Sequence, residues 1–493
     1  MKSRYSRIMV ATFAYDAASR RTSRVLGDTP GTQTAWVYGR QDNLPSAINS
    51  AIPGASFSYT YDANKNQLTE GISAPMANFG FNSTAYDQAD RLTAWNRTDG
   101  NLDQSWNLSL VGNWATFTQN QVQQTRSHTA VHEIAAIDSA PIAHDPAGNL
   151  TRNAGDLFDR YTWDFDNRLA TADVDQDGTL DCLYRYDALG RRVSKTVPDG
   201  EGSATTVLVG TIQSLPYSPH SMQVVAEYAS GAAPASPARK FVYAKYIDEP
   251  VMMLSTSGAT TTPYYYHQNS LYSVAALTDA TGTVVERYAY SAYGKPIFLD
   301  AAATLLDPQA STIGTPYLFT GRRLDPETGL YYYRARMYDA ELGRFVSRDP
   351  IGYEAGDVSL YRYVGNSPIN LRDPSGTCST TLVERVWNLL LLKYECPIKE
   401  VRVKGRDGKT RTYKERTVPV ESSVQFSGKP EDKVQKCMIP CGLLSDGCDE
   451  GSTCTLAYLT RTSPFGTIYR DPMCVCVESP VADNRCRWPT PRV

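Results

Sequence analysis

Alternation of large and polar side chains, with a period of two, organises most of the chain. From Tyr331 the two faces of a strand separate: Tyr331, Tyr333, Ala335 and Met337 fall on one side, and Tyr332, Arg334, Arg336 and Tyr338 on the other. Turn residues bracket this run, with Asp325-Pro326-Glu327-Thr328-Gly329 before it and Asp339 to Gly343 after it. The pattern predicts a strand in a hairpin, its stripe of arginine and tyrosine facing water. A shorter unit recurs upstream: an aromatic residue or histidine followed by Asp, a polar turn, then Arg or Leu. It appears at Tyr15-Asp16, Tyr61-Asp62, Tyr86-Asp87, His144-Asp145, Trp163-Asp164 and Tyr186-Asp187. Each reads as a strand end, where Asp accepts backbone N–H groups and a Gly or Asn takes the left-handed position before the next strand. The spacing of about 20 to 58 residues argues against a uniform solenoid.

Residues 317–377, YLFTGRRLDPETGLYYYRARMYDAELGRFVSRDPIGYEAGDVSLYRYVGNSPINLRDPSGT, resemble the conserved core of Rhs proteins, relatives of the teneurins. The upstream units resemble the YD repeats of the same family. Residues 264–296 resemble the hairpin that precedes the core, with Leu271-Tyr272 where the commoner bacterial form has Gly. The resemblance implies a mainly β protein: YD-repeat hairpins over 1–316 forming a curved shell or cup, the core over 317–377, and a variable C-terminal domain over 378–493. Ser203–Pro237, rich in Ser, Ala, Gly and Pro, is expected to be an insertion or surface loop.

At 493 residues the chain exceeds one ordinary core, and its net charge of −3 gives no global drive toward nucleic acid or anionic lipid. Tyr outnumbers Phe by 32 to 13, which favours sheets whose rings carry a polar tip. No stretch approaches the ~20 apolar residues of a membrane span. The N-terminus shows no clear signal peptide, so export is expected to use a fused or separate carrier. A cargo of 116 residues has a compact radius of roughly 17 Å. Enclosing it needs roughly 6,000 Å² of sheet at about 16 Å² per strand residue, so this chain alone is expected to form a cup rather than a sealed capsule.

The core ends in two matching boxes, Arg348-Asp349-Pro350-Ile351-Gly352 and Arg372-Asp373-Pro374-Ser375-Gly376. They resemble the paired DPxG boxes that in many Rhs proteins form an aspartyl autoprotease. The resemblance implies Asp349 and Asp373 as a carboxylate pair, one protonated and one ionised, cutting after Thr377. Arg348 would orient the strand or bias one carboxylate toward ionisation. Thr377 stands where the family usually has Leu. Asp-Pro-x-Gly is also ordinary turn chemistry, so a purely structural reading stands beside the catalytic one.

Composition changes at Gly376. Nine of the ten cysteines lie in 378–493, and all five histidines lie before it, which excludes histidine-based nuclease or protease chemistry and mixed Cys/His zinc sites from the tail. Thr381 with Glu384 and the apolar run through Leu390 predict a capped helix, and 399–416, with eight basic and three acidic residues, predicts a basic hairpin. Its charge keeps nucleic acid open as a target of the tail alone. Cys437, Cys441, Cys448, Cys454, Cys474, Cys476 and Cys486 suit disulfides better than zinc, giving a small disulfide-rich α+β domain in its mature form.

Asp173, Asp175, Asp177 and Asp181 resemble half of a calcium loop, with Tyr184 where the closing Glu would stand; an acidic turn is the alternative. Beyond Ca²⁺ no cofactor is expected. The leading expectation is a secreted or surface-exposed bacterial toxin scaffold that carries its C-terminal domain. Its partners would be an immunity protein, an export machine or an N-terminal shell partner. The alternatives are an adhesion protein contacting a carbohydrate or surface receptor, and a degenerate Rhs tip fragment.

Overall fold

The computed structural model describes residues 10–377 apart from short breaks at 19, 28–29, 40–43, 154, 157–159, 176, 199–202, 211–222 and 245. Beyond these it describes the backbone of 398–404, 410–416, 452–462 and 468–478. The aromatic–aspartate pairs are strand ends. Strand Ala11–Tyr15 stops at Tyr15, and Asp16 Oδ1 then accepts the N–H groups of Ala18 (3.0 Å) and Arg20 (2.9 Å) while Oδ2 takes Arg20 Nε (2.7 Å). The same contacts close the turns at Asp87 with Arg91, Asp164 with Arg168 and Asp187 with Arg191. At Asp62 and Asp145 an asparagine amide, Asn66 or Asn149, replaces the guanidinium.

The turn also forms where Asp is absent. Ser109 Oγ accepts the N–H of Asn113, Thr129 Oγ1 that of Glu133, and Asn269 Oδ1 that of Ser273. Ser109 and Thr129 fill the long interval between Asp87 and Asp145, so the irregular spacing expected from Asp alone is corrected to a nearly even ladder between Asp62 and Asp187. The tyrosines have a matching role. Tyr86 Oη donates to the carbonyl of Gln67 (2.6 Å), Tyr186 Oη to Leu169 (2.9 Å) and Tyr290 Oη to Val274 (2.7 Å). Each acceptor lies five positions past an earlier turn residue: Asp62, Asp164 and Asn269 respectively. A phenylalanine fills the same space but cannot make this tie.

Consecutive hairpins build a 13-stranded sheet from Ala11 to Pro141 and a 12-stranded sheet from Tyr161 to Asp300, each with strands in chain order and antiparallel. Among the described residues helices are confined to short 3-10 turns. Ser203–Gly210 and Val224–Ala229 are paired strands of the second sheet, which corrects the expected surface loop over those residues, while 211–222 lie outside the described residues. Alternating β-branched residues such as Val207, Val209 and Val224 outweigh the small-residue composition there.

Residues 323–345 form a four-stranded sheet. The single strand expected from Tyr331 to Tyr338 is two: Leu330–Tyr332 pairs with Met337–Asp339 around a turn in which Arg334 has φ +65°. The Arg/Tyr stripe expected to face water is buried. Tyr331, Tyr333 and Tyr338 are fully enclosed, and Arg334 and Arg336 nearly so. These rings pack with Trp95, Trp106 and Trp114 of the first sheet and Tyr266, Leu277 and Tyr288 of the second in one apolar cluster. The closing segment therefore joins the two large sheets.

Contacts divide the chain into two compact units, 1–382 and 383–493. In the second, Ile398–Lys404 and Thr410–Arg416 form the expected basic hairpin, and Ser452–Thr462 pairs with Ile468–Glu478. The predicted helix beginning near Thr381 lies outside the described residues, as do Cys437, Cys441, Cys448 and Cys486.

Candidate functional site

The burial of Arg336 follows from what surrounds it. Its side chain leaves the turn of the Leu330–Asp339 hairpin and crosses the face of Phe345 at 3.5 Å. Nη2 then lies 3.0 Å from Asp349 Oδ2 and 3.5 Å from Asp373 Oδ2. Nη1 donates to the carbonyl of Leu360 (3.0 Å), and Nε to that of Gly376. One guanidinium thus gathers both boxes and the backbone next to Thr377.

Each carboxylate is also held locally. Asp349 Oδ1 accepts the N–H of Ile351 at 3.1 Å. Asp373 Oδ1 accepts those of Ser375 (3.1 Å), Gly376 (2.8 Å) and Thr377 (3.3 Å), so the turn expected of the Pro-x-Gly box is present. Burial pushes the Asp349 carboxyl above its ordinary pKa, and the Arg336 charge only partly offsets this; Asp373 nearby adds to the rise. Arg336, Asp349, Asp357, Asp373 and Thr377 line a common cavity of about 150 Å³, large enough for several waters.

Arg348 is elsewhere. Its Nη2 pairs with Glu133 at 2.5 Å and its Nε donates to Tyr361 Oη, so it fastens the closing segment to the first sheet. The cation shared by the two carboxylates is Arg336, twelve positions upstream of Arg348, which sequence adjacency did not indicate. Arg372, in the second box, lies against both the Tyr246 ring (4.6 Å) and the Tyr272 ring (4.9 Å), with Nε donating to Tyr246 Oη. Tyr272 has φ +64° and stacks on Tyr246 at 4.4 Å. The left-handed backbone explains why the commoner form of this hairpin has glycine here, and the stacking offsets the strain.

The remaining candidates are separate from this cavity. Asp173, Asp175 and Asp177 bring carboxylate oxygens within 4.8 Å of one another, while Asp181 Oδ2 accepts the N–H of Val174. The antiparallel register sets Cys454 opposite Cys476 and Cys474 opposite Leu456.

The teneurin YD-shell family profile matches residues 82–369. The chain belongs to this family. Its YD-shell relatives include the tRNA(Glu)-specific nuclease WapA of Bacillus subtilis subsp. natto, 28% identical over 253 residues, a match covering 51% of this chain and 10% of that protein. The double-stranded DNA deaminase toxin A of Burkholderia cenocepacia is 26% identical over 403 residues, covering 76% of this chain and 26% of that protein. Toxin protein Tse5 of Pseudomonas aeruginosa is 29% identical over 252 residues, covering 47% and 18%. The YD-shell fold is also that of the crystal structure of TcdB2-TccC3 without its hypervariable C-terminal region, with a TM-score of 0.57 at 18% identity over 74% of this chain and 19% of that one. The chain therefore spans between a tenth and about a quarter of these proteins. Among the described residues no helix is long and apolar enough to cross a membrane.

Proposed function

We propose that this chain is the shell-closing and cargo-bearing part of an Rhs-type polymorphic toxin, and that it cuts itself after Thr377 to release residues 378–493. The observation that carries this reading is the convergence of Asp349 and Asp373 on Arg336 beside Thr377. Asp349, its pKa raised by burial, supplies the acid. Asp373 takes a proton from water, the resulting hydroxide oxygen adds to the Thr377 carbonyl carbon, and the C–N bond to Cys378 breaks as Asp349 protonates the leaving nitrogen. Arg336 is a positioning residue: through Asp349, Asp373 and the Gly376 carbonyl it sets the chain against the pair. The toxin names of the relatives support a toxin scaffold, and we propose on that basis a secreted product delivered to other cells, with an immunity protein and an export machine as partners.

The test is intact mass of the full chain under denaturing conditions beside Asp349→Asn and Asp373→Asn. A break after Thr377, absent from both variants, is expected; a chain that stays whole on long incubation sinks autocleavage and leaves the boxes as turns. For the released domain we propose a Cys454–Cys476 disulfide. Directly opposed antiparallel residues have Cα atoms about 4.5–5.5 Å apart, inside the range a disulfide spans. Peptide mapping without reduction would show the linked pair. We also propose Ca²⁺ as the ligand of Asp173, Asp175 and Asp177, to be checked by calorimetry against Asp175→Asn.

A further inference from the structure

Arg126 and Arg344 carry charge into the interior, and among the described residues neither makes an ion pair. Arg126 is 8% exposed; it stacks on Trp114 at 4.4 Å and donates to Gln124 Oε1 and to the carbonyls of Leu342 and Glu341. Arg344 is 9% exposed, lies over Tyr361, and donates from Nη2 to the carbonyl of His132 (2.7 Å). The nearby carboxylates are committed: Glu133 to Arg348, Asp357 to both nitrogens of the Arg362 fork, and Asp339 to the N–H groups of Glu341 and Leu342. Buried charge without a directly paired counter-charge is costly, and the cost recurs here twice within one cluster.

The two arginines meet at a cavity. Arg126, Arg344, Arg362, His128, Trp114 and Ser359 are among its lining residues, and at about 20 Å³ it has room for roughly one water-sized sphere. Ser359 is 3% exposed, and its Oγ has no hydrogen-bond partner. A buried hydroxyl left unpaired on the wall between this cavity and the Asp349–Asp373 cavity is a second sign that something is held beside it. The surroundings agree on its sign. Burial first, then the charges of Arg344 and Arg126, push His128 down to about 3, so the imidazole is neutral and the field is that of guanidinium groups.

We propose that this cavity binds a small monovalent inorganic anion of halide size, with Arg344 and Ser359 as direct donors and Arg126 supplying the field. The anion neutralises the buried cluster and gives the Ser359 hydroxyl an acceptor. The space excludes phosphate-sized groups. Because Ser359 and Arg362 also line the Asp349–Asp373 cavity, the anion stiffens the wall between the two, although the inference does not depend on cleavage.

The test compares thermal unfolding of the full chain in chloride and in gluconate at constant ionic strength and pH. It is repeated with Ser359→Ala and Arg344→Gln, and crystals soaked in bromide provide a direct readout. Wild type should gain a saturable few degrees in chloride, Ser359→Ala should need more chloride for the same gain, and Arg344→Gln should lose it. A bromide anomalous peak should lie between Arg126, Arg344 and Ser359. A chloride effect equal in wild type and Ser359→Ala, no chloride effect at all, or a cavity without bromide would each overturn the proposal. If Arg344→Gln does not fold, Ser359→Ala and the bromide peak still decide.

Discussion

The YD turns and the closing segment are built from the same two residue types with opposite consequences. In the turns, Asp and Arg stand four apart, as in Asp187–Arg191 at 2.6 Å, and both remain partly exposed. In the closing segment, Arg322 and Arg334 share Asp248 at 2.7 and 2.6 Å, and Arg192 meets Asp325 at 2.5 Å, all essentially out of water. A turn pair is local, so its geometry follows from a five-residue sequence and needs no other part of the fold. A buried pair forms only after distant segments dock, and it then makes docking all-or-none. Breaking one by removing a single partner leaves an uncompensated charge inside.

The sharpest way to break this contrast is Asp248→Ala. Two buried guanidiniums lose their shared carboxylate, and the expected loss is about 3–5 kcal/mol in urea unfolding. A loss no larger than that of a turn pair would mean that Arg322 and Arg334 find water, and that the closing segment is looser than its burial indicates. The Arg322 and Arg334 contacts to the Pro374 carbonyl predict a further effect: the variant should also misplace the second box and slow any cleavage.

What could be read from the residues divides along the same line. The turns at Asp16, Asp62, Asp87, Asp145, Asp164 and Asp187 were legible because every contact lies within five residues. Those at Ser109 and Thr129 were missed by reading only Asp, although a hydroxyl accepting the N–H four residues on does the same work. The candidate carboxylates Asp349 and Asp373 were legible as paired boxes. Arg336 was not: alternation put it on a face expected to be wet, and nothing local reveals that Asp349 and Asp373 return to it. Arg348 invited assignment by adjacency, yet its partner, Glu133, is over two hundred positions away.

Glu70 is an intermediate case: the residue is half-buried, and among the described residues no guanidinium pairs with it. Burial pushes it up to about 7, only partly offset by hydrogen bonds from Asn269 and Tyr59. The folded pKa lies above the unfolded value of 4.5, so folding favours the protonated form. This contribution is complete below the unfolded pKa and is lost as pH rises through the folded one. Glu70→Gln should therefore remove part of the stability decline between mildly acidic and alkaline pH. The gain above neutrality should be on the order of 1 kcal/mol, since Glu70 is only partly shielded from water. Parallel pH curves for wild type and variant would show that this carboxylate is solvated.

Tyr186→Phe tests the ties between turns. It removes one hydroxyl and leaves the ring, so the Leu169 carbonyl loses its donor at an expected cost of about 1 kcal/mol. No change would assign the excess of tyrosine over phenylalanine to solubility.

The smallest effect should come from the turns themselves. In Arg191→Ala the Asp187 carboxylate keeps the N–H groups of Leu189 and Arg191, because both are backbone donors untouched by the substitution. Only the guanidinium contact is lost, and an exposed pair of this kind contributes about 0.2–1 kcal/mol, less in high salt. The variant should unfold within about 0.5 kcal/mol of wild type, with the difference shrinking as salt is added. Asp187→Ala removes the backbone acceptor as well and should cost more, because the turn then loses the atom on which its N–H groups converge. If the arginine variant were the more damaging, the turns would depend on charge rather than on backbone capping. Ser109 and Thr129, which form the turn through a neutral hydroxyl, argue for capping.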